Sequence, residues 1–257
     1  MKSTLLLLIL GMCFPTLSQT KMFINRHNGS TDSLLLADIK SISFKSGSPP
    51  ILLTGLDCYF PFNGNAYDLS GNGNDGTVRA GTMLTKDRFG NPNKAYNFSG
   101  GISSILVNCL PRPSVTFAAW FRTSMKGTEG NGLYIFDTFG ADGPHIVSDG
   151  TLVFSLEVGV GNYNQVQSSR SVADSVWHFV AETFDGAVLK YYLDGEEIAA
   201  IENSGLIDYD GTGYQNFVIG NHWLFFEGRG FVGDIDDVRL YRRALSKEEI
   251  SLLFHEM

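Results

Sequence analysis

The sequence predicts an all-β fold, a sandwich of two antiparallel sheets. Short apolar and aromatic runs recur along the chain between clusters of Gly and Asn, with almost no helical periodicity. The segment from Trp177 to Ala199 is divided into three such runs by the dipeptides Asp185-Gly186 and Asp194-Gly195. Asp-Gly supplies the positive φ values that a tight hairpin needs, so the segment reads as a three-strand antiparallel meander. Within it Leu189, Tyr191 and Leu193 alternate with Val188, Lys190 and Tyr192, the period of two that sends successive side chains to opposite faces of a sheet.

Residues 1–18 have the layout of a secretory signal peptide: Lys2, an apolar run from Leu5 to Leu10, then small or turn-forming residues to Ser18, with Thr16 at the third position before the cut. The apolar run is too short to span a bilayer as a helix, so the expected product is exported, secreted or at the cell surface, with no transmembrane segment. Leu10-Gly11-Met12-Cys13 also has the outline of a lipoprotein cleavage box with Cys13 as the lipidated residue, but Met12 stands where that box needs a small side chain. Residues 20–45 form a small β-rich unit: Met22-Phe23-Ile24, a turn at Asn28-Gly29, then Leu34-Leu35-Leu36 and Ile42-Ser43-Phe44. A unit of this size has no core of its own and must pack on something else. The linker 46–50 follows, with Pro49 and Pro50 and no apolar periodicity.

From residue 51 to 257 one β-domain is expected. Its strands are Leu56 to Phe62, Ile102 to Val107, Val115 to Arg122, Leu133 to Phe136, Leu152 to Val158, the meander, Phe217 to Ile219 and Phe231 to Tyr241, with a Gly- and Asn-rich loop over 63–76. One helix is signalled, from Lys247 to Glu256. Ser246-Lys247-Glu248-Glu249 is a capping box, Leu245 and Ile250 occupy the staple positions, and Ile250, Leu253 and Phe254 make one apolar face.

Composition bounds the function. The chain has 257 residues, 43% of them hydrophobic, which is enough for a proper core. Its net charge is −8 and it lacks a long basic run, which opposes binding to a phosphate backbone or to an anionic membrane. Nucleic acid is therefore an unexpected partner. Cys58 and Cys109 lie in the exported part, where they either form one disulfide or remain two separately buried thiols.

Four ordered blocks resemble the laminin G-like jelly-roll domains of the concanavalin A-like lectin/glucanase superfamily, as found in secreted bacterial proteins. They are Tyr59-Phe60-Pro61-Phe62-Asn63-Gly64-Asn65-Ala66 with Asp68-Leu69-Ser70-Gly71-Asn72-Gly73-Asn74, then Asp87-Arg88-Phe89-Gly90-Asn91, then the meander, and finally Phe231-Val232-Gly233-Asp234-Ile235-Asp236-Asp237-Val238-Arg239-Leu240-Tyr241 with Arg243-Ala244-Leu245-Ser246. The resemblance implies a two-sheet jelly-roll that binds glycans or proteins, often with a structural calcium ion. On that implication Asp236 and Asp68 would be ligands, with Asn63 or Asn65 assisting, since calcium takes six to eight oxygens. The alternative is that these Asn and Asp residues cap turns through their own side chains.

Catalysis would need two carboxylates on one strand face, as the glycoside hydrolases and lyases of this fold present them. Glu182 and Asp185 are three apart, Glu157 has no acidic partner on its strand, and Glu196-Glu197 follow a turn. No histidine pair has metal-ligand spacing, no serine sits in a nucleophile elbow, and no phosphate-binding glycine loop occurs. A non-catalytic binding module for a carbohydrate or an extracellular protein is the expectation, with a structural surface domain as the other non-enzymatic reading. Glycan recognition needs aromatic faces beside hydrogen-bonding side chains. Two loop-like segments supply them: Tyr163 between Asn162 and Asn164, and Trp223 in Asn221-His222-Trp223-Leu224-Phe225-Phe226 with Arg229. Tyr163, Trp223 and Arg229 are the candidate ligand contacts.

Overall fold

A computed structural model describes residues 21–25, 31–35, 50–109, 113–138, 141–159, 161–208 and 216–256. The signal segment 1–18 with Cys13, the turn at Asn28-Gly29, the strand at Ile42-Ser43-Phe44 and linker residues 46–49 lie outside the described residues. The chain divides into two compact units, 1–47 and 48–257. In the first, Lys21–Asn25 pairs antiparallel with Thr31–Leu35, with Lys21 opposite Leu35 and Asn25 opposite Thr31.

The second unit is a β-sandwich. One layer is an eight-stranded sheet in the order Glu196–Glu202, Val188–Leu193, His178–Phe184, Val115–Arg122, Val232–Tyr241, Ala95–Ser99 and Thr82–Thr85, and Leu56–Phe60 joins it on Val232–Tyr241. The other layer consists of two four-stranded sheets. The first runs Phe136–Thr138, Asn216–Ile219, Ile105–Asn108, Thr77–Val78; the second runs Tyr163–Ser171, Thr151–Glu157, His145–Ile146, Leu133–Tyr134. Between the layers lies one core cluster in which Phe117 meets Phe136 and Phe217 with ring centroids 5.7 and 5.6 Å apart, and Phe154 meets Tyr191 at 5.3 Å. Rings at these separations gain from edge and offset contacts beyond the area they bury.

The meander forms as its turns require. Asp194 and Gly195 have φ of 52° and 80°, the pair of positive values of a two-residue hairpin loop, and Gly186 has φ of 100°. The Asp194 carboxylate also accepts hydrogen bonds from the Phe179 amide and from buried His178, whose other ring nitrogen meets Asp174. The C-terminal helix, Lys247–Phe254, carries the complete capping box. Ile250 and Leu253 pack with Phe179, Ala181, Tyr192 and Tyr241 on the outer face of the large sheet, so that face is covered as well.

Four departures from the sequence expectation have local causes. Pro50 opens a short helix, Pro50–Leu53, because proline is pre-set for a first helical position. The expected strand from Leu133 to Phe136 is split between the two smaller sheets. Ile102 is exposed and the strand there begins at Ile105. Tyr163, expected in a loop-like segment with Asn162 and Asn164, begins an edge strand, Tyr163–Ser171, whose mostly polar residues carry no apolar alternation.

Glu182 points into the core opposite Phe117 and Tyr191, and among the described residues no side chain hydrogen-bonds its carboxylate. Burial first, then the charge of Asp142, raises its pKa well above the ordinary glutamate value of 4.5. A group with a raised folded pKa contributes stability below its unfolded pKa and loses it as pH rises through the folded one. Glu182→Met should therefore raise the melting temperature at pH 7.5 by a few degrees, about 2–4 °C per kcal/mol in a domain of this size, and flatten the loss of stability between pH 5 and 8.5. Thermal scans across that range check it, and an unchanged pH slope in the variant would show that Glu182 is not its source.

Candidate functional site

A solvent-open cleft of about 430 Å³ lies against the outer face of the sheet containing Thr151–Glu157 and Tyr163–Ser171. Glu157 stands opposite Tyr163 and Ser155 opposite Gln165 in that pair. Cross-strand neighbours share a face, and Phe154 and Leu156, one residue out of phase, go to the core. Tyr163, Gln165 and Glu157 thus reach the cleft together.

The opposite wall is the loop 221–229. Gly220, with φ of 80°, turns the chain out of Asn216–Ile219, and a β-carbon there would come within 2.2 Å of the Phe98 ring. Buried Asn221 anchors the loop by donating its side-chain amide to the carbonyls of Gly101 at 2.8 Å and Ser103 at 3.2 Å. The Trp223 amide donates to Asp137 at 3.2 Å, and the Arg229 carbonyl accepts the Tyr134 amide at 3.1 Å. These bonds present Trp223, Leu224, Phe226 and Arg229 to the cleft.

Aromatic rings form its floor. Tyr134 stacks on His145 at 4.6 Å and meets His222 edge-on at 4.9 Å, while His222 lies 5.1 Å from Phe226. The Arg229 guanidinium sits 5.0 Å from the Phe226 centroid and 5.8 Å from that of Tyr134, and its Nε donates to Asn131 at 3.5 Å. Cation–π contact on two rings holds this long side chain in place. His222 Nδ1 accepts the Leu224 amide, and burial, then the charge of Arg229, lowers its pKa to about 4. It is a neutral ring at neutral pH.

Asp142 completes the cleft from a turn in which its φ is 72°, a left-handed value that Asp tolerates. One of its oxygens accepts the Ser155 hydroxyl at 2.6 Å. Glu157 accepts the Gly161 amide. Burial, then a hydrogen bond to Glu157, raises the pKa of Tyr163. A second cavity of about 330 Å³ shares Tyr134, Asp142, Gln165 and Arg229 with the first and adds Glu129, Asn131, His145 and Ser148, so the cleft has two lobes meeting at Arg229.

Tyr163, on one strand, and Trp223 and Arg229, on a loop about sixty residues later in the sequence, therefore come together. Tyr163 is 55% exposed and Trp223 partly so, which leaves ring surface for a ligand. Sequence reasoning missed Asp142, Tyr134, Gln165 and His222. Asp142 lies in Asp142-Gly143-Pro144, which reads as a turn, and Gln165 lies in the polar strand that shows no periodicity. Glu157 lacks an acidic partner on its own strand, but Asp142 reaches the same cleft from a loop.

The four residues expected at a calcium ion are not gathered into an oxygen cage. Asp68 accepts the amides of Tyr59, Ser70 and Asn74 and the Ser70 hydroxyl, and Asn65 accepts the Tyr67 amide. Both organise the 63–76 loop, which is the turn-capping alternative. Asn63 and Asp236 line a separate cavity of about 270 Å³ with Arg88, whose guanidinium donates to Asp236 at 2.9 Å, to Asp237 at 3.0 Å and to the Glu256 carbonyl at 3.2 Å. Arg88 also lies 5.0 Å over the Trp120 ring. A fixed cation occupies the carboxylate pair, so this donor set does not fit calcium, and no group of three or more His, Cys, Asp or Glu among the described residues could hold a metal. Burial, then the charge of Asp237, raises the Asp236 pKa to about 7. Cys58 and Cys109 are free thiols, both buried in the main core, and Cys58 is pushed up first by a hydrogen bond to Cys109 and then by burial. They lie side by side, so the single pairing that the sequence allows would join neighbours in the fold.

Residues 99–251 match the family Laminin_G_3, described as the concanavalin A-like lectin/glucanases superfamily. No curated protein matches the sequence. Among solved structures, the binding domain of Paraclostridial Mosquitocidal Protein 1 superposes with a TM-score of 0.62 at 17% identity, over 79% of this chain and 52% of that one. The ligand binding domain of botulinum neurotoxin serotype D, in complex with N-acetylneuraminic acid, gives 0.58 at 17% over 80% and 51%. Domain 4 of AbnA, a GH43 extracellular arabinanase from Geobacillus stearothermophilus, in complex with arabinotriose, gives 0.52 at 19% over 78% and 98%. The chain spans about half the length of the two toxin domains and nearly all of the arabinanase module.

Arg88→Met removes the guanidinium that Asp236 and Asp237 share and leaves Asp236 buried beside Asp237, which keeps only Arg239. It should lower stability by about 3 kcal/mol or more and the melting temperature by about 10 °C, whereas chelator should leave the melting temperature of the unaltered chain unchanged. A fall in the melting temperature on adding chelator would show that a cation is bound after all.

Proposed function

The chain belongs to the concanavalin A-like lectin/glucanase superfamily, and from that premise and the geometry of the cleft we propose that it is an exported, non-catalytic carbohydrate-binding module. One observation carries the reading: Tyr163 from an edge strand and Trp223 and Arg229 from the 221–229 loop converge on one open cleft. Pyranose and furanose rings have an apolar face that stacks on an aromatic ring, and their hydroxyls pair with Asp, Glu, Gln and Arg side chains. Tyr163 and Trp223 supply the rings, and Glu157, Gln165 and Arg229 supply the partners. The bound arabinotriose of the arabinanase module and the bound N-acetylneuraminic acid of the toxin domain support the same use of the fold. Export is supported by Lys2 and the apolar run from Leu5 to Leu10. Among the described residues no helix is long and apolar enough to cross a membrane. The partner is a glycan, free or carried on an extracellular protein.

Hydrolysis is the second reading, favoured by Asp142 and Glu157 lining one cleft. Both are held as acceptors, Asp142 by the Ser155 hydroxyl and Glu157 by the Gly161 amide, the role of a hydroxyl-binding group rather than of a proton donor.

A glycan array with the purified chain should yield binders, and Tyr163→Ala and Trp223→Ala should each weaken the best of them about tenfold, with the circular dichroism spectrum unchanged. Binding that survives both substitutions would remove the cleft from consideration. No reducing ends should appear when the same glycans are incubated for hours with the chain; release that Glu157→Gln abolishes would establish the hydrolase instead.

A further inference from the structure

Building on the glycan-binding reading, we propose that the cleft selects uncharged glycans and rejects acidic ones. Its walls carry unbalanced charge. Asp142 and Glu157 place two carboxylates in the larger lobe and Glu129 places a third in the smaller, whereas Arg229 is the only Lys or Arg among the described residues lining either. Arg229 is turned onto the Phe226 and Tyr134 rings and donates to Asn131. His222 adds no positive charge at neutral pH, because burial and the neighbouring guanidinium keep it unprotonated down to about pH 4.

The chemistry of these groups decides what fits beside them. An ionised carboxylate only accepts hydrogen bonds, and it has about four lone-pair sites. Asp142 uses one oxygen on Ser155 and its other is buried, so it acts on a ligand through its charge, while Glu157 uses only part of its capacity on Gly161 and can still take a ligand hydroxyl. A neutral sugar supplies such donors at every ring position. The carboxylate of a uronic or sialic acid cannot donate, and it would be held near two like charges in a cleft that partly excludes water, where repulsion is stronger than in bulk solvent. The rings of Tyr163 and Trp223 are indifferent to this difference. Selection therefore falls to Asp142 and Glu157.

Calorimetric titration of the full chain with neutral arabino- and gluco-oligosaccharides, and with oligogalacturonate and sialyllactose, tests the proposal. Neutral ligands should bind, and acidic ones should bind at least about tenfold more weakly at low salt, the gap narrowing as salt screens the repulsion. Asp142→Asn combined with Glu157→Gln should narrow the gap by weakening neutral ligands and strengthening acidic ones. Acidic ligands that bind more tightly than neutral ones, and lose that binding in Tyr163→Ala, would overturn the selectivity while leaving a glycan-binding cleft. Failure of both classes to bind would overturn both readings. If the double variant does not fold, the salt series of the unaltered chain decides, because acidic ligands whose affinity falls with added salt are attracted and the proposal is then wrong.

Discussion

Two adjacent carboxylates buried in the last strand are the constraint around which the sandwich is organised. Val232–Tyr241 pairs with Ala95–Ser99 over its first half and with Leu56–Phe60 over its second, and with Val115–Arg122 along its other edge. The change of partner comes at Asp236 and Asp237, where the register shifts and Asp237 takes a left-handed φ of 52°. A bulge of this kind bends a strand and lets it serve two neighbours. Its cost is that Asp236 and Asp237 are only 3% and 8% exposed. Buried charges must be paired, and Arg88 and Arg239 supply the partners, the latter bound to Asp237 at 3.1 Å. Arg88 is contributed by a loop before the strand Ala95–Ser99, so this one ion cluster ties the early loops, the last strand and the carbonyl of Glu256 past the helix into a single frame.

That frame separates scaffold from site. The outer face of the large sheet is closed by the C-terminal helix through Ile250 and Leu253. The opposite layer keeps an outer face with polar residues on its edge strand, where Tyr163 and Gln165 alternate with residues that pack inward. A loop anchored by Asn221 and stiffened by edge-on and tilted ring contacts is laid along that face. Its side chains are restrained before any ligand arrives, and preorganisation of this sort reduces the entropy lost on binding.

The same guanidinium chemistry serves two ends. At Asp236 and Asp237, Arg88 is held between carboxylates and a tryptophan face and neutralises charge that is largely withdrawn from water. In the cleft, Arg229 lies over aromatic rings, and among the described residues Asp142 and Glu157 have no ion-pair partner. The first arrangement is structural, and the second leaves acceptors available to a ligand.

Much of the fold was legible from local chemistry. The Asp-Gly turns set the meander, the box at Ser246 set the start of the last helix, and alternation in Val115 to Arg122 set the central strand, because each depends on residues within a few positions of one another. The ring and guanidinium chemistry of Tyr163, Trp223 and Arg229 could also be read in advance. What the sequence could not determine was assembly. Gln165 sits in a polar strand that only its pairing with Ser155 defines, and Asp142 reads as a turn residue until Ser155 and the cleft are in place. Asp236 carries the oxygen donors of a calcium site, and whether it meets an ion or an arginine is decided by Arg88, which lies 148 residues away and reaches it only in the folded chain. Secondary structure and residue chemistry are local properties. Which charge faces which is settled by contacts between distant segments, and only the tertiary structure holds those.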